Sequence, residues 1–196
     1  MKTIILASAN NHKIKEFKSM LNGYEVLSLV DIEFFEDIEE NGDTCEANAK
    51  IKADAIQSFC REKGINYPII ADDTGLFVNA LNGEPGVKSA RYAGNHDNEA
   101  NRQKLLANLN GKAERSAYFE TVICYVFEDE TKYFVGQTHG IITTEKIGDE
   151  SFGYDCLFHS VDLNKTFGEA TEEEKDAVSH RGRAVEKLKE FLDSQN

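Results

Sequence analysis

The chain has 196 residues, of which 40% are apolar and 29% charged, and it carries a formal net charge of −13. An acidic surface of that size repels polyanions and argues against a nucleic-acid-binding module, which presents a basic face. No apolar run approaches bilayer-spanning length, so no membrane segment is expected, whereas a small phosphorylated ligand held by a few lysines and a divalent cation stays open.

No repeat, low-complexity tract or linker breaks the chain, and one domain over residues 1–196 is expected. The start, "MKTIILASANNHK", has too short an apolar core for a signal peptide, so a cytoplasmic protein is expected. Cys45, Cys60, Cys124 and Cys156 form no C-x-x-C pair and no zinc-spaced cluster; they read as thiols in a reducing compartment.

Residues 3–7, "TIILA", read as a buried strand, and "SANNHKIKEFKSML" as a turn and a helix with Ile14, Phe17 and Leu21 on one face. "GYEVLSL" reads as a second strand and "FFEDIEENGDT" as an acidic loop. A second helix is expected to begin near Asp43, with Asp43 and Glu46 as a capping box and Ala47, Ile51, Ala55 and Phe59 as its apolar stripe. Asn48 and Lys52 then share a different face, and Gly64 closes the helix. "YPIIADDTG" reads as a strand with its acids at the C-terminal end, where open α/β sheets place ligands. A long Gly-rich loop, a helix over 98–110 and a β-hairpin broken at "EDET" follow. "GDESFGYDCLFH" is a loop entering a short strand, and the C-terminal stretch is helical, with Ser179 capping the last helix. The class is α/β with an antiparallel hairpin.

Chemistry-bearing residues punctuate this pattern. Ser8, Asn10 and Lys13 surround a strand-to-helix turn whose N–H groups suit an anion, although an N-cap with a solvated lysine fits the same spacing. Glu39 and Glu40 lie in a loop, and Asp72 and Asp73 end a strand; acids from separate segments can converge on Mg²⁺, or an Asp can simply cap a turn. Lys52 could face the same site or water. Phe152, Gly153, Tyr154 and Asp155 could form a stacking surface with an acceptor for ring N–H groups, or an ordinary turn. His180 and Arg181 stand at a helix start, where cations gain nothing from the dipole.

The order "SANNHK", "EENGDTCEANAKIKA", "ADDTGLFVNALNGEPGVKSARYAG", "FGYDCLF", "EEKDAVSHRGRA" closely resembles the Ham1/inosine-triphosphate pyrophosphatase family, essentially from end to end. The resemblance implies an elongated mixed β-sheet with flanking helices, two lobes with an active-site cleft between them, and a homodimer. It implies Mg²⁺-dependent hydrolysis of ITP, dITP or XTP, purine nucleoside triphosphates with deaminated bases, to the monophosphate and pyrophosphate. Residue by residue, it makes Ser8, Asn10 and Lys13 a triphosphate-binding turn, Glu40 and Asp73 metal ligands, and Asp73 also the catalytic base. Lys52 falls near the phosphates and Thr74 against substrate. Phe152, Gly153, Tyr154, Asp155, Lys175, His180 and Arg181 correspond to the base-recognition set. Cys156 departs from the pattern, which most often has proline after the Asp; a looser turn is expected there. Maf-type pyrophosphatases, which prefer pyrimidine or modified nucleotides, and a non-catalytic nucleotide-binding regulator are the rival readings.

Overall fold

In the computed structural model, which describes residues 2–94 and 96–195, the first apolar run is β1 (Lys2–Leu6), followed by α1 (Asn11–Met20) and β2 (Tyr24–Leu27). β2 runs parallel to β1, with Ile4 opposite Val26. α2 (Cys45–Lys63) leads to β3 (Ile69–Val78), which is parallel to β1 through Ile5–Ile69 and Leu6–Ile70. β4 (Pro85–Gly86) turns back antiparallel on the far half of β3. α3 (Asn98–Asn108) precedes the hairpin of β5 (Ser116–Phe127) and β6 (Glu130–Ile142). β7 (Phe158–Ser160) and β8 (Lys165–Thr166) add antiparallel neighbours, and α4 (Glu172–Val178) and α5 (His180–Ser194) close the chain. Among the described residues the strands form one eight-stranded mixed sheet, β2-β1-β3-β5-β6-β7-β8, with β4 beside β3. The α/β class expected from the sequence is therefore found.

The chain divides into two compact units. The first comprises Met1–Asp73, Thr121–Val135 and Ala184–Asn196. Its sheet is covered on both faces, which explains the unbroken apolar run of β1. Ile5 and Ala7 pack with Ala49, Ala53 and Ile56 of α2, while Ile4 and Leu6 pack with Phe17 of α1 and Ala184 and Leu188 of α5. The second unit comprises Thr74–Glu120 and Gly136–Arg183, and its core is built from Leu76, Leu105, Leu109, Phe119, Phe158 and Phe167 among others.

Four local expectations are corrected. The N-cap of α2 is Thr44, not Asp43: Thr44 is extended and its Oγ1 accepts from the Ala47 N–H, so Glu46 falls one position short of a capping box. The buried face of α2 is Cys45, Ala49, Ala53, Ile56 and Cys60, and it takes in Asn48 and Lys52, because both polar side chains find partners inside; Ala47, Ile51, Ala55 and Phe59 are only partly buried. Asp72 and Asp73 lie in the middle of β3 rather than at its end, since the strand continues to Val78 by pairing with β4. They do stand just past the last β1–β3 pair, Leu6–Ile70, so they occupy the C-terminal end of the parallel segment. Finally, the Gly-rich loop is entered by a 3-10 turn, Asn79–Leu81, and contains β4 and a second 3-10 turn, Ser89–Arg91. Gly75 permits this, since a Cβ there would lie 2.8 Å from the Gly86 carbonyl oxygen. Gly64 closes α2 in the left-handed region, at φ 70°, as expected.

Candidate active site

Asn10 is the N-cap of α1; its Oδ1 accepts from the N–H groups of His12 and Lys13, and its own N–H donates to Ser8 Oγ. The cap orients the first turn of α1, which carries Lys13. The Lys13 ammonium lies 2.9 Å from Asp72 Oδ2, and that carboxylate is fully buried. Successive strand residues project to opposite faces, and Asp73 meets α2 instead. Its Oδ2 accepts from Asn48 Nδ2 at 3.2 Å, and its Oδ1 lies 3.8 Å from Lys52 Nζ. Lys52 also donates to the Asp72 carbonyl at 2.6 Å and to Glu40 Oε2 at 3.1 Å. A single buried lysine thus bridges the acidic loop and β3.

Three carboxylates (Glu40, Asp72, Asp73) and two ammonium groups (Lys13, Lys52) leave this cluster one net negative charge. Burial alone would lower the Lys52 pKa; the charges of Asp72, Asp73 and Glu40 outweigh it and hold the ammonium protonated, above its ordinary range. Burial pushes the Asp73 carboxyl up, against the opposing pull of Lys52 and Lys13. Burial is thus the larger influence on Asp73, and the two lysines only partly offset it. Glu40 and Asp73 offer hard oxygen donors on either side of Lys52, a donor type that suits a divalent cation. Among the described residues no group of three or more His, Cys, Asp and Glu side chains has metal-site geometry. Two carboxylates are still the donor type Mg²⁺ uses, since that ion keeps several waters and needs few protein ligands. The sequence spacing of Asn48 and Lys52 was visible, but Asn48's link to Asp73 was not, because it spans two elements.

The other predicted residues lie in the second unit. Arg181 is 2% exposed and donates from Nη2 to Thr74 Oγ1 at 3.3 Å. His180 stacks on Phe119, with ring centroids 4.6 Å apart and planes 15° apart; Phe119 was not singled out in the sequence, where it reads as one more strand aromatic. Ser179 caps α5 by accepting from the Gly182 N–H. Lys175 Nζ lies 2.6 Å from Asp155 Oδ2 and 5.1 Å from the centre of the Phe152 ring, a cation–π distance. The structure thus brings Phe152, Asp155 and Lys175 together, and separately Thr74 and Arg181. Tyr154 corrects the expectation of a stacking surface. Its ring lies in the core and its hydroxyl donates to the Ser89 carbonyl at 2.7 Å, so desolvation raises its pKa and it anchors the loop from inside. Gly153 takes φ +48°, the left-handed turn that lets Phe152 and Tyr154 diverge. Cys156 does not loosen this turn: its carbonyl accepts from the Ile147 N–H at 2.8 Å, and the thiol is buried.

Comparison with known proteins gives a consistent result. The model of the Ham1 family matches residues 4–191. A dITP/XTP pyrophosphatase of Staphylococcus epidermidis is 44% identical, over 100% of this chain and 98% of that one. Among solved structures, the Staphylococcus aureus Ham1 protein is similar at TM-score 0.87 and 41% identity, covering 100% of each chain. A HAM1 protein from Coxiella burnetii reaches TM-score 0.87 at 35% identity, over 99% of this chain and 100% of that one.

Proposed function

This chain belongs to the Ham1 family, and on that premise we propose that it is a hydrolase that cleaves deaminated purine nucleoside triphosphates, ITP, dITP and XTP, between the α and β phosphates. The products are the monophosphate and pyrophosphate, and the cellular effect is to clear such nucleotides from the pool. The family match over residues 4–191 supports treating residues 1–196 as one functional domain. The observation that carries the reading is the buried Lys52 bridge between Glu40 and β3, with the buried Asp73 carboxylate 3.8 Å from the same ammonium.

In this reading Glu40 and Asp73 hold Mg²⁺, which when bound screens the triphosphate and the departing pyrophosphate. Lys13 and Lys52 draw the phosphates in, each giving up part of its hold on Asp72 or Glu40. Ser8 and Asn10 shape the turn that presents Lys13. Asp73, held in place on β3 beside Lys52, accepts a proton from the attacking water. Asn48 keeps the Asp73 carboxylate oriented for that transfer.

The second unit reads the base. Phe152 offers a stacking face, and Asp155 accepts from ring N–H groups. Lys175, Arg181 and His180 supply donors, with Thr74 steadying Arg181. Hypoxanthine and xanthine carry a 6-oxo acceptor, whereas adenine presents a 6-amino donor, and a buried donor facing a donor is costly. A homodimer, drawn from the family resemblance, and a cytoplasmic setting, drawn from four buried free thiols, complete the proposal. No helix among the described residues is long and apolar enough to cross a membrane. Nucleic acid is not among the proposed partners.

The test is pyrophosphate release from ITP, dITP, XTP, GTP, ATP and dUTP, with Mg²⁺ and with EDTA. Metal-dependent release confined mainly to ITP, dITP and XTP is expected. Release chiefly from dUTP would move the specificity to pyrimidines, and no release from any substrate would leave a nucleotide-binding regulator.

A further inference from the structure

We propose that Arg102 of α3 is a positioning residue for base discrimination, acting through the loop that carries Phe152 and Asp155. The proposal rests on the reading of that loop as the base-recognition segment.

Arg102 is 4% exposed, although it is an arginine on a helix. One guanidinium nitrogen, Nη1, donates to two carbonyls of the loop, Gly153 O at 2.8 Å and Glu150 O at 3.1 Å. Those two carbonyls flank Ser151 and Phe152, so a single rigid group ties both shoulders of the turn on which Phe152 stands. The opposite edge of the guanidinium is fixed by Glu99, whose Oε2 accepts from Nε at 3.3 Å and from Nη2 at 3.0 Å. Lys146 closes the circuit, with Nζ 3.2 Å from Glu99 Oε2 and 2.7 Å from Glu150 Oε2.

This arrangement uses the property that separates arginine from lysine. A planar fork can serve the loop carbonyls from one edge and a carboxylate from the other, and a lone ammonium cannot span both. Gly153 sits in a left-handed conformation inside a turn closed by the Asp155 N–H donating to the Phe152 carbonyl at 3.3 Å, and the Arg102 bond to its carbonyl adds a restraint from outside the loop. Release of that bond leaves Phe152 and Asp155 in place in the sequence but not in space, while the carboxylates and lysines of the first unit keep their own contacts.

The experiment compares wild type with Arg102→Lys, which keeps the charge and the apolar stem, and with Glu99→Gln, which weakens the grip on the guanidinium without touching the loop carbonyls. Steady-state kinetics on ITP and ATP are measured with Mg²⁺, alongside melting temperatures. Arg102→Lys is expected to raise KM for ITP more than it lowers kcat. Its ratio of kcat/KM for ITP over ATP should fall roughly tenfold, with Glu99→Gln intermediate. A wild-type ratio retained in Arg102→Lys, or equal losses on both nucleotides tracking a fall in melting temperature, would make Arg102 a structural group only and overturn the proposal. A wild type with no preference for ITP over ATP would overturn the underlying base-site reading, and the proposal with it.

Discussion

Asn48 is 1% exposed, and both ends of its amide are engaged. Oδ1 accepts from the Gly42 N–H at 2.8 Å, and Nδ2 donates to Asp73 Oδ2 at 3.2 Å. One side chain therefore ties the loop that carries Glu40 to the strand that carries Asp73. Gly42 is fitted to it, since a Cβ there would lie 2.8 Å from Asn48 Oδ1. Asn48→Ala removes both bonds and leaves the buried Asp73 carboxylate with one fewer donor. A fall in kcat of roughly 10- to 100-fold on ITP is expected, with a smaller change in KM. Asn48→Asp restores an acceptor for Gly42 but sets a second carboxylate against Asp73, and it should do no better. Wild-type kcat in Asn48→Ala would reduce the residue to packing. The site was legible where chemistry is local: the Asp72-Asp73 pair, Glu40 and Lys52 are conspicuous as charges beside apolar runs. Asn48, Phe119 and Arg102 were not, because their roles lie in contacts to distant segments, and a buried polar residue on a helix looks like a solvated one until its partner is known.

At the scale of elements, the junction of α4 and α5 rests on one residue between helices. The Ser179 N–H donates to the Lys175 carbonyl at 2.7 Å, and Ser179 Oγ accepts from the Gly182 N–H at 3.0 Å, so Ser179 ends one helix and caps the next. The bend brings the last turn of α4 so close that a Cβ on Gly182 would stand 1.8 Å from the Asp176 carbonyl oxygen. That oxygen is backbone and has no rotamer to escape into. Gly182→Ala must therefore prise the helices apart, carrying Lys175 away from Asp155 and shifting His180 and Arg181. The expected cost is about 2 kcal/mol or more, with loss of selectivity for ITP. Ser179→Ala leaves the close approach intact and should cost only about 1 kcal/mol. Thermal melting of the two variants ranks them, and a Gly182→Ala protein as stable as wild type would mean the bend relaxes freely. The Ser179 cap was legible because capping is local. The α2 stripe was misplaced because apolar periodicity cannot register Asn48 and Lys52 as inward-facing. The full length of β3 is not legible in the sequence, because its second half pairs with β4, a partner of only two residues.

For the whole molecule, the net charge of −13 sets the response to acid. Protonation of carboxylates first relieves self-repulsion, which favours the folded state. Against that runs the loss of specific pairs. Hydrogen bonds from Gln103, Arg102 and Lys146 hold Glu99 down to about 2, from an ordinary value of 4.5. Bonds from Lys165 and Thr171 lower Glu174, and bonds from Thr166 lower Glu169. A carboxylate whose folded pKa is depressed contributes stability above its unfolded pKa and loses it as the pH falls through the folded one. For Glu99 that window runs from 4.5 down to about 2. Glu99→Gln keeps the size of the side chain and removes the charge that titrates. Urea midpoints measured from pH 7 to pH 2 should therefore decline less steeply below 4.5 in the variant than in wild type. The repulsive background is nearly common to both proteins, so the difference between the curves isolates the pairs that Glu99 makes. Added salt should narrow that difference, because the Glu99 side chain is exposed and its partners are screened. Parallel curves would show that the charge of Glu99 adds no stability to the Arg102–Glu99–Lys146 circuit, and that the loop is held by bonds and packing that do not depend on it.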